Sequence, residues 1–180
     1  MIFTETKLNG AFLIELERIE DERGFFALSW SAEEFARHGL DSQLVECNVS
    51  RNNKKGTLRG MHYQAHPHGQ TKLVRCTMGV IYDVVVDLRA SSPTFKQWVG
   101  VELSANNHLM IYIPKGFAHG FQALEDNSEV FYQMSHPYVP HSSRTVRWDD
   151  SAFDIYWPPG ERIILERDRS CPDFNENSFV

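Results

Sequence analysis

Hydrophobic and polar positions fall in short runs of period two along most of the chain, the spacing of strands whose successive side chains face opposite ways. Residues 73–77 and 80–87 are rich in β-branched side chains and are separated by Met78-Gly79, a turn signal. Residues 98–103 and 108–113 flank the polar Ser104-Ala105-Asn106-Asn107, which predicts a hairpin. Pro114-Lys115-Gly116 breaks the chain before a strand at 117–124, and alternation at 129–134 predicts one more. A single helix stands out, over 31–38, with Ser31 as its cap, Glu34 completing an S-x-x-E capping box and Gly39 ending it. Pro158-Pro159-Gly160 marks a loop before a C-terminal tail of mixed charge. Many short strands, little helix and frequent turn signals predict an all-β sandwich or barrel.

Composition narrows the picture. With 180 residues, 42% of them apolar and 23% charged, the chain fits one domain, 1–180, with a real core. A net charge of −6 argues against general affinity for nucleic acid or an anionic membrane. No apolar run is long enough to span a bilayer, and residues 1–10 lack the basic start and apolar run of a signal peptide. Cys47, Cys76 and Cys171, odd in number and widely spaced, read as reduced thiols of a cytoplasmic protein rather than a disulfide framework or a zinc site.

Three stretches concentrate polar and titratable residues inside predicted strands. Asn48, Ser50, Arg51, Arg59, His62 and Gln64 form the first; Gln70, Lys72 and Arg75 the second; Lys115 to His119, with Tyr132 and Tyr138 further on, the third. On a regular strand Gly60, His62 and Gln64 share a face. A barrel lined this way needs a ligand or mutual hydrogen bonds to satisfy its buried polar groups, and a polar anion suits it. Taken singly, each residue has a plainer reading: His62 as a hydrogen-bonded structural histidine, Tyr132 as a half-buried strand aromatic, Lys72 as a solvated strand residue, Arg23 as a turn residue, and Asp168 as part of a solvated charged tail.

The order of motifs adds a resemblance. Asp21-Glu22-Arg23-Gly24-Phe25-Phe26, Asn48-Val49-Ser50-Arg51, Gly56-Thr57-Leu58-Arg59-Gly60-Met61-His62-Tyr63-Gln64 and Gln70-Thr71-Lys72-Leu73-Val74 come first. Asp83 to Arg89, Ser92-Pro93-Thr94-Phe95, Ile113 to Phe121, Tyr132, Arg147-Trp148-Asp149-Asp150 and Trp157-Pro158 follow. Across nearly the whole chain this succession resembles the dTDP-4-dehydrorhamnose 3,5-epimerase family. The resemblance implies a cupin jelly-roll β-barrel with short peripheral helices, a homodimer, and cofactor-independent epimerisation of a nucleoside-diphosphate 4-keto-6-deoxyhexose. It implies that His62 is the base, Asp168 its orienting carboxylate, Lys72 the cation facing the enolate oxygen, and Tyr132 the proton donor across the ring. Arg23, Glu46, Asn48, Arg59, His119, Tyr138 and Arg167 match its substrate contacts, the arginines suiting a diphosphate.

Two positions depart from that family's pattern, Leu28 and Ser143, where it carries glutamates. They leave open a single-centre (3- or 5-) epimerase, or one acting on a CDP- or GDP-linked sugar; outside enzymes, a cupin that binds a sugar nucleotide without turning it over is the alternative. No metal is expected. His62, His66, His68 and His119 superficially form a set, but Gln70, Thr71 and Lys72 follow in place of an acidic ligand, a lysine repels a divalent cation, and a base must keep its lone pair free.

Overall fold

The structure, a computed structural model, describes residues 1–176. Strands β1 (Ile2–Glu5), β2 (Phe12–Glu15), β3 (Ile19–Asp21) and β4 (Gly24–Phe26) precede the short helix α1 (Ala32–Arg37). Then come β5 (Glu46–Asn52), β6 (Thr57–Gln64), β7 (Lys72–Met78), β8 (Val80–Asp87), β9 (Trp98–Ser104) and β10 (Met110–Ile113). The chain finishes with β11 (Phe117–Ala123), β12 (Ser128–Met134), β13 (Ser143–Thr145), β14 (Ile163–Ile164) and the one-turn helix α2 (Glu166–Arg169). The first sheet runs β1-β2-β10-β7-β12-β5 and the second β13-β6-β11-β8-β9, with β14 added beside β6 and β3-β4 standing apart as a ribbon. The all-β jelly roll is therefore as the sequence implies. No helix among the described residues is long and apolar enough to cross a membrane.

The two sheets close on a core that draws Val74, Ile111 and Val130 from the first and Ile81, Val85 and Phe121 from the second. Each outer face is covered as well. Phe35 of α1 packs on Leu73, Met110 and Tyr112 of the first sheet, and Val146, Phe153 and Trp157 pack on Leu58, Val84 and Val86 of the second. This explains why residues 80–87 read as a nearly unbroken apolar run: Ile81 and Val85 fill one core while Val84 and Val86 fill the other. The Arg147-Trp148-Asp149-Asp150 motif belongs to this cover. Trp148 accepts a hydrogen bond on its carbonyl from Trp157 Nε1, and Asp150 accepts from the amides of Ala152 and Phe174.

The hairpin expected from 98–103 and 108–113 does not form. β9 pairs with β8 in the second sheet, whereas β10 pairs with β2 and β7 in the first. Asn107 still makes a turn, accepting from the amides of Ser104 and Leu109, but His108 at φ 53° sends the chain across to the other sheet. Alternation fixes which side chains point inward; it cannot say whether two inward rows lie side by side or face each other across the core.

The helix also differs in detail. Ser31 Oγ accepts from the Glu34 amide at 3.4 Å, and Gly39, at φ 69°, follows the last turn. The Glu34 carboxylate instead accepts from the Met1 ammonium at 3.3 Å, so the reciprocal half of a capping box is replaced by an ion pair. The charged tail is not simply solvated: its residues 166–169 form α2, in which Asp168 is 2% exposed.

Candidate active site

One face of each sheet turns polar at the same end of the molecule. On β5 the residues two apart, Glu46, Asn48, Ser50 and Asn52, are the more buried ones. In the register of the first sheet Asn48 lies beside Tyr132, and Met134 lies between Glu46 and Lys72. Facing them across the gap stands β6, where regular alternation would put Arg59 and His62, three residues apart, on opposite sides. The structure breaks it. Arg59 pairs with Phe121 and His62 with His119, so four residues of β6 oppose three of β11, and the extra residue brings both side chains to the same cavity. Gly60 is the residue that permits this: at φ 133°, a Cβ there would stand 2.5 Å from Gly120 Cα. Thus Arg59 joins His62 in one cavity, His62 and Gln64 line the next, and Gly60 serves the bulge. Arg59 Nε donates to Asn52 Oδ1 at 2.8 Å, tying the two sheets together at the cavity wall.

Two adjoining cavities, of about 420 and 690 Å³, share His62, Lys72, Tyr132 and Arg167. His62 donates from Nε2 to Asp168 Oδ1 at 2.9 Å, and the second carboxylate oxygen accepts from the Gly60 amide at 3.5 Å. Since the carboxylate accepts, the neutral ring carries its proton on Nε2 and its lone pair on Nδ1. Burial acts to raise the Asp168 pKa, but the bond and charge of His62, the Gly60 amide and the Arg167 guanidinium outweigh it and hold the carboxyl below its usual range.

A second pair lies deeper. His119 donates from Nε2 to Asp83 Oδ2 at 2.8 Å, both side chains being almost wholly enclosed. Burial lowers the His119 pKa, with Lys72 and His62 adding to the effect against the opposing pull of Asp83, so the ring is neutral near pH 7. Asp83 Oδ1 is buried without a hydrogen-bond partner among the described residues. Lys72 Nζ donates to the His62 carbonyl at 3.4 Å; burial draws its pKa down to about 8, against the field of Asp83. Burial raises the pKa of the Tyr132 phenol, so it stays protonated well past neutrality.

The larger cavity takes in Glu46, Asn48 and Tyr138. Asn48 Nδ2 donates to Glu46 Oε1 at 2.8 Å, and the Tyr138 amide donates to Glu46 Oε2 at 3.0 Å. Ser143 lines this cavity, on β13 opposite Gln64. Arg23 is not brought in: on the β3–β4 ribbon it pairs with Asp21 at 2.5 Å and lines neither cavity, and Leu28 is likewise outside both and 45% exposed. Among the described residues no group of three or more His, Cys, Asp or Glu could hold a metal; His68 Nδ1 instead faces Ser142 Oγ at 2.8 Å.

Sequence reasoning counted Gln64 in the polar lining without giving it a task, and assigned no role to Asp83. The signal for Asp83 was available: a carboxylate inside a doubly buried strand demands a partner, and His119 is that partner.

Comparison with known proteins bears on the same residues. The family model for dTDP-4-dehydrorhamnose 3,5-epimerase matches residues 5–176. The chain is 41% identical over 177 residues to dTDP-4-dehydrorhamnose 3,5-epimerase of Shigella flexneri, covering 98% of this chain and 94% of that one. Its fold superposes on the crystal structure of dTDP-4-dehydrorhamnose 3,5-epimerase from Elizabethkingia anophelis with a TM-score of 0.95, at 38% identity, covering 100% and 99% of the two chains. A dTDP-6-deoxy-D-glucose-3,5-epimerase of Legionella pneumophila, solved in complex with dTDP-4-keto-L-rhamnose, matches at 40% identity and a TM-score of 0.86, covering 93% and 89%.

Proposed function

This chain belongs to the dTDP-4-dehydrorhamnose 3,5-epimerase family, and we propose that it inverts C3 and C5 of dTDP-4-dehydro-6-deoxyglucose to give dTDP-4-dehydrorhamnose. It is an isomerase, and the reaction needs no redox step. The 4-keto group acidifies the protons on both neighbouring carbons. His62 Nδ1 removes one, the electron pair of the C–H bond moves onto the keto oxygen as an enolate, and a proton returns to carbon from the other side.

The observation that carries this reading is that base and acid come from different sheets. His62 stands on β6 of the second sheet and Tyr132 on β12 of the first, both lining the same cavities, so a sugar ring between them meets one on each face. Asp168 steadies the imidazolium as it forms. Lys72, charged below pH 8, offsets the enolate charge, the task of an oxyanion hole. His119, neutral and pinned by Asp83, hydrogen-bonds the sugar beside it. Arg59 and Arg167 hold the diphosphate, while Glu46, Asn48 and Tyr138 border the nucleoside end in the larger cavity.

The same reading treats 1–180 as one domain of a cytoplasmic homodimer that acts without a metal or cofactor. The β3–β4 ribbon supports a second copy, because Ile19 and Phe26 on the ribbon that carries Arg23 in its turn leave 70% and 73% of their surface exposed. Arg23 then serves the diphosphate of the neighbouring subunit, since it lines neither cavity of its own chain. Light scattering should give twice the 20.8 kDa chain mass; a monomer contradicts the assembly.

The reaction is tested by incubating chelator-treated protein with dTDP-4-dehydro-6-deoxyglucose and identifying the product by proton NMR, beside CDP-, GDP- and UDP-linked analogues. Formation of the rhamno product from the dTDP sugar supports the reading. Inversion at one carbon assigns a single-centre epimerase, faster turnover of another nucleotide moves the substrate, and binding without turnover leaves a sugar-nucleotide-binding cupin.

A further inference from the structure

The last residue of β6, Gln64, is 5% exposed and spends its whole amide on main-chain groups. Nε2 donates to the carbonyls of His68, at 2.8 Å, and Pro137, at 3.1 Å, while Oε1 accepts from the Val139 amide at 2.6 Å. Two of these bonds grip the segment Pro137-Tyr138-Val139 on either side of Tyr138. The amide of Tyr138 itself goes the other way, to Glu46 Oε2 at 3.0 Å. Gln64 belongs to the second sheet and Glu46 to the first, so three consecutive residues form a strap anchored on both sheets over the larger cavity, which Gln64, Glu46 and Tyr138 all line.

We propose that Gln64 is a positioning residue for substrate binding, holding this strap so that the Tyr138 ring is set against the nucleotide end of the ligand. The proposal rests on the reading above that Tyr138 touches substrate. Tyr138 is 55% exposed, so the packing around it does little to fix it and its main chain must. A carboxamide suits the task because it offers two donors and an acceptor from one planar group. A carboxylate at this position would keep the acceptor for Val139 but set negative charge against two carbonyl oxygens. A methionine would keep the volume and lose all three bonds.

Gln64→Met, Tyr138→Ala and the double variant test the coupling. Steady-state turnover of dTDP-4-dehydro-6-deoxyglucose and calorimetric binding of dTDP are the readouts. Gln64→Met should raise KM and weaken dTDP binding about 10-fold while kcat stays within about twofold, the pattern of lost uniform binding. In the Tyr138→Ala background the same change should add almost nothing, because the ring it positions is gone. An equal rise in both backgrounds, a fall in kcat at constant KM, or no change overturns the proposal. An unaltered KM and dTDP affinity in Tyr138→Ala overturns it too, by removing what Gln64 would position, whereas wild-type turnover alone decides the reaction. Should Gln64→Met fail to fold, Gln64→Glu, which retains the Val139 bond but turns an acceptor toward the His68 and Pro137 carbonyls, should shift the same constants in the same direction.

Discussion

The imidazole of His62 donates from Nε2 to Asp168 Oδ1 at 2.9 Å, joining the middle of a sheet strand to a one-turn helix 106 residues later. The carboxylate is 2% exposed and is held ionised by the very partner it orients. Asp168→Asn keeps the shape but removes the charge that stabilises the imidazolium. Deuterium exchange into substrate should slow by about 10- to 100-fold, as for loss of a charged hydrogen bond of roughly 1.5–3 kcal/mol. An unchanged exchange rate would show that His62 works without it.

Lys72 sets an upper pH limit. Its pKa lies near 8, so the cation is present below that pH and is lost as pH rises through it. The kcat profile should fall on an alkaline limb centred there. Lys72→Met should lower kcat by about 10²–10³ at pH 7, the scale of a lost oxyanion-hole donor. Lys72→Arg, charged throughout, should move the limb upward in whatever activity it keeps; a limb that stays near 8 would assign it to another group.

Tyr132 separates proton removal from inversion. In Tyr132→Phe the base can still take a proton and return deuterium from its own side, but no acid faces it from the other sheet. Net epimerisation should drop by about 10²–10⁴, the usual worth of a positioned acid, while exchange without inversion persists. An equal loss of both would place Tyr132 in substrate binding.

Asp87 shows that part of the motif pattern maintains the fold rather than the chemistry. Fully buried, it accepts from the amide and guanidinium of Arg89 and from the hydroxyls of Ser92 and Thr94, so these neighbours in the sequence close one hydrogen-bonded turn. Burial acts to raise its pKa, but these bonds prevail and lower it. Its stabilisation is therefore complete above the unfolded carboxyl value of about 3.9 and is lost as pH falls through the lower folded value. Asp87→Ala should cost about 3–5 kcal/mol in urea unfolding near pH 7, the scale of breaking a buried ion pair, and should remove the share of acid-labile stability that Asp87 supplies, leaving that of Asp168.

Much of this was legible from local pattern, and the rest failed for identifiable reasons. Alternation along 129–134 and the density of polar residues from Asn48 to Gln64 put Asn48 and Tyr132 among the candidates, and the structure turns both inward. Arg59 and His62 could not be placed together by alternation, since only the pairing with β11 reveals the extra residue at Gly60. The 98–113 region misled because Val101 and Ile111 turn toward one core from different sheets instead of lying along one sheet. Asp168 looked like tail because its burial depends on docking against β6. Arg23, finally, matched a family motif yet lines neither cavity of its own chain, because it sits on the β3–β4 ribbon that pairs apart from both sheets.

The most direct measurement follows deuterium incorporation by proton NMR when dTDP-4-dehydro-6-deoxyglucose is held in D2O with chelator-treated wild-type protein and with His62→Ala. The wild type should lose the C3 and C5 proton signals, and His62→Ala should slow that loss by about 10²–10⁴, as expected for removal of a general base. Exchange at both carbons by His62→Ala at the wild-type rate would contradict the assignment of His62 as the base.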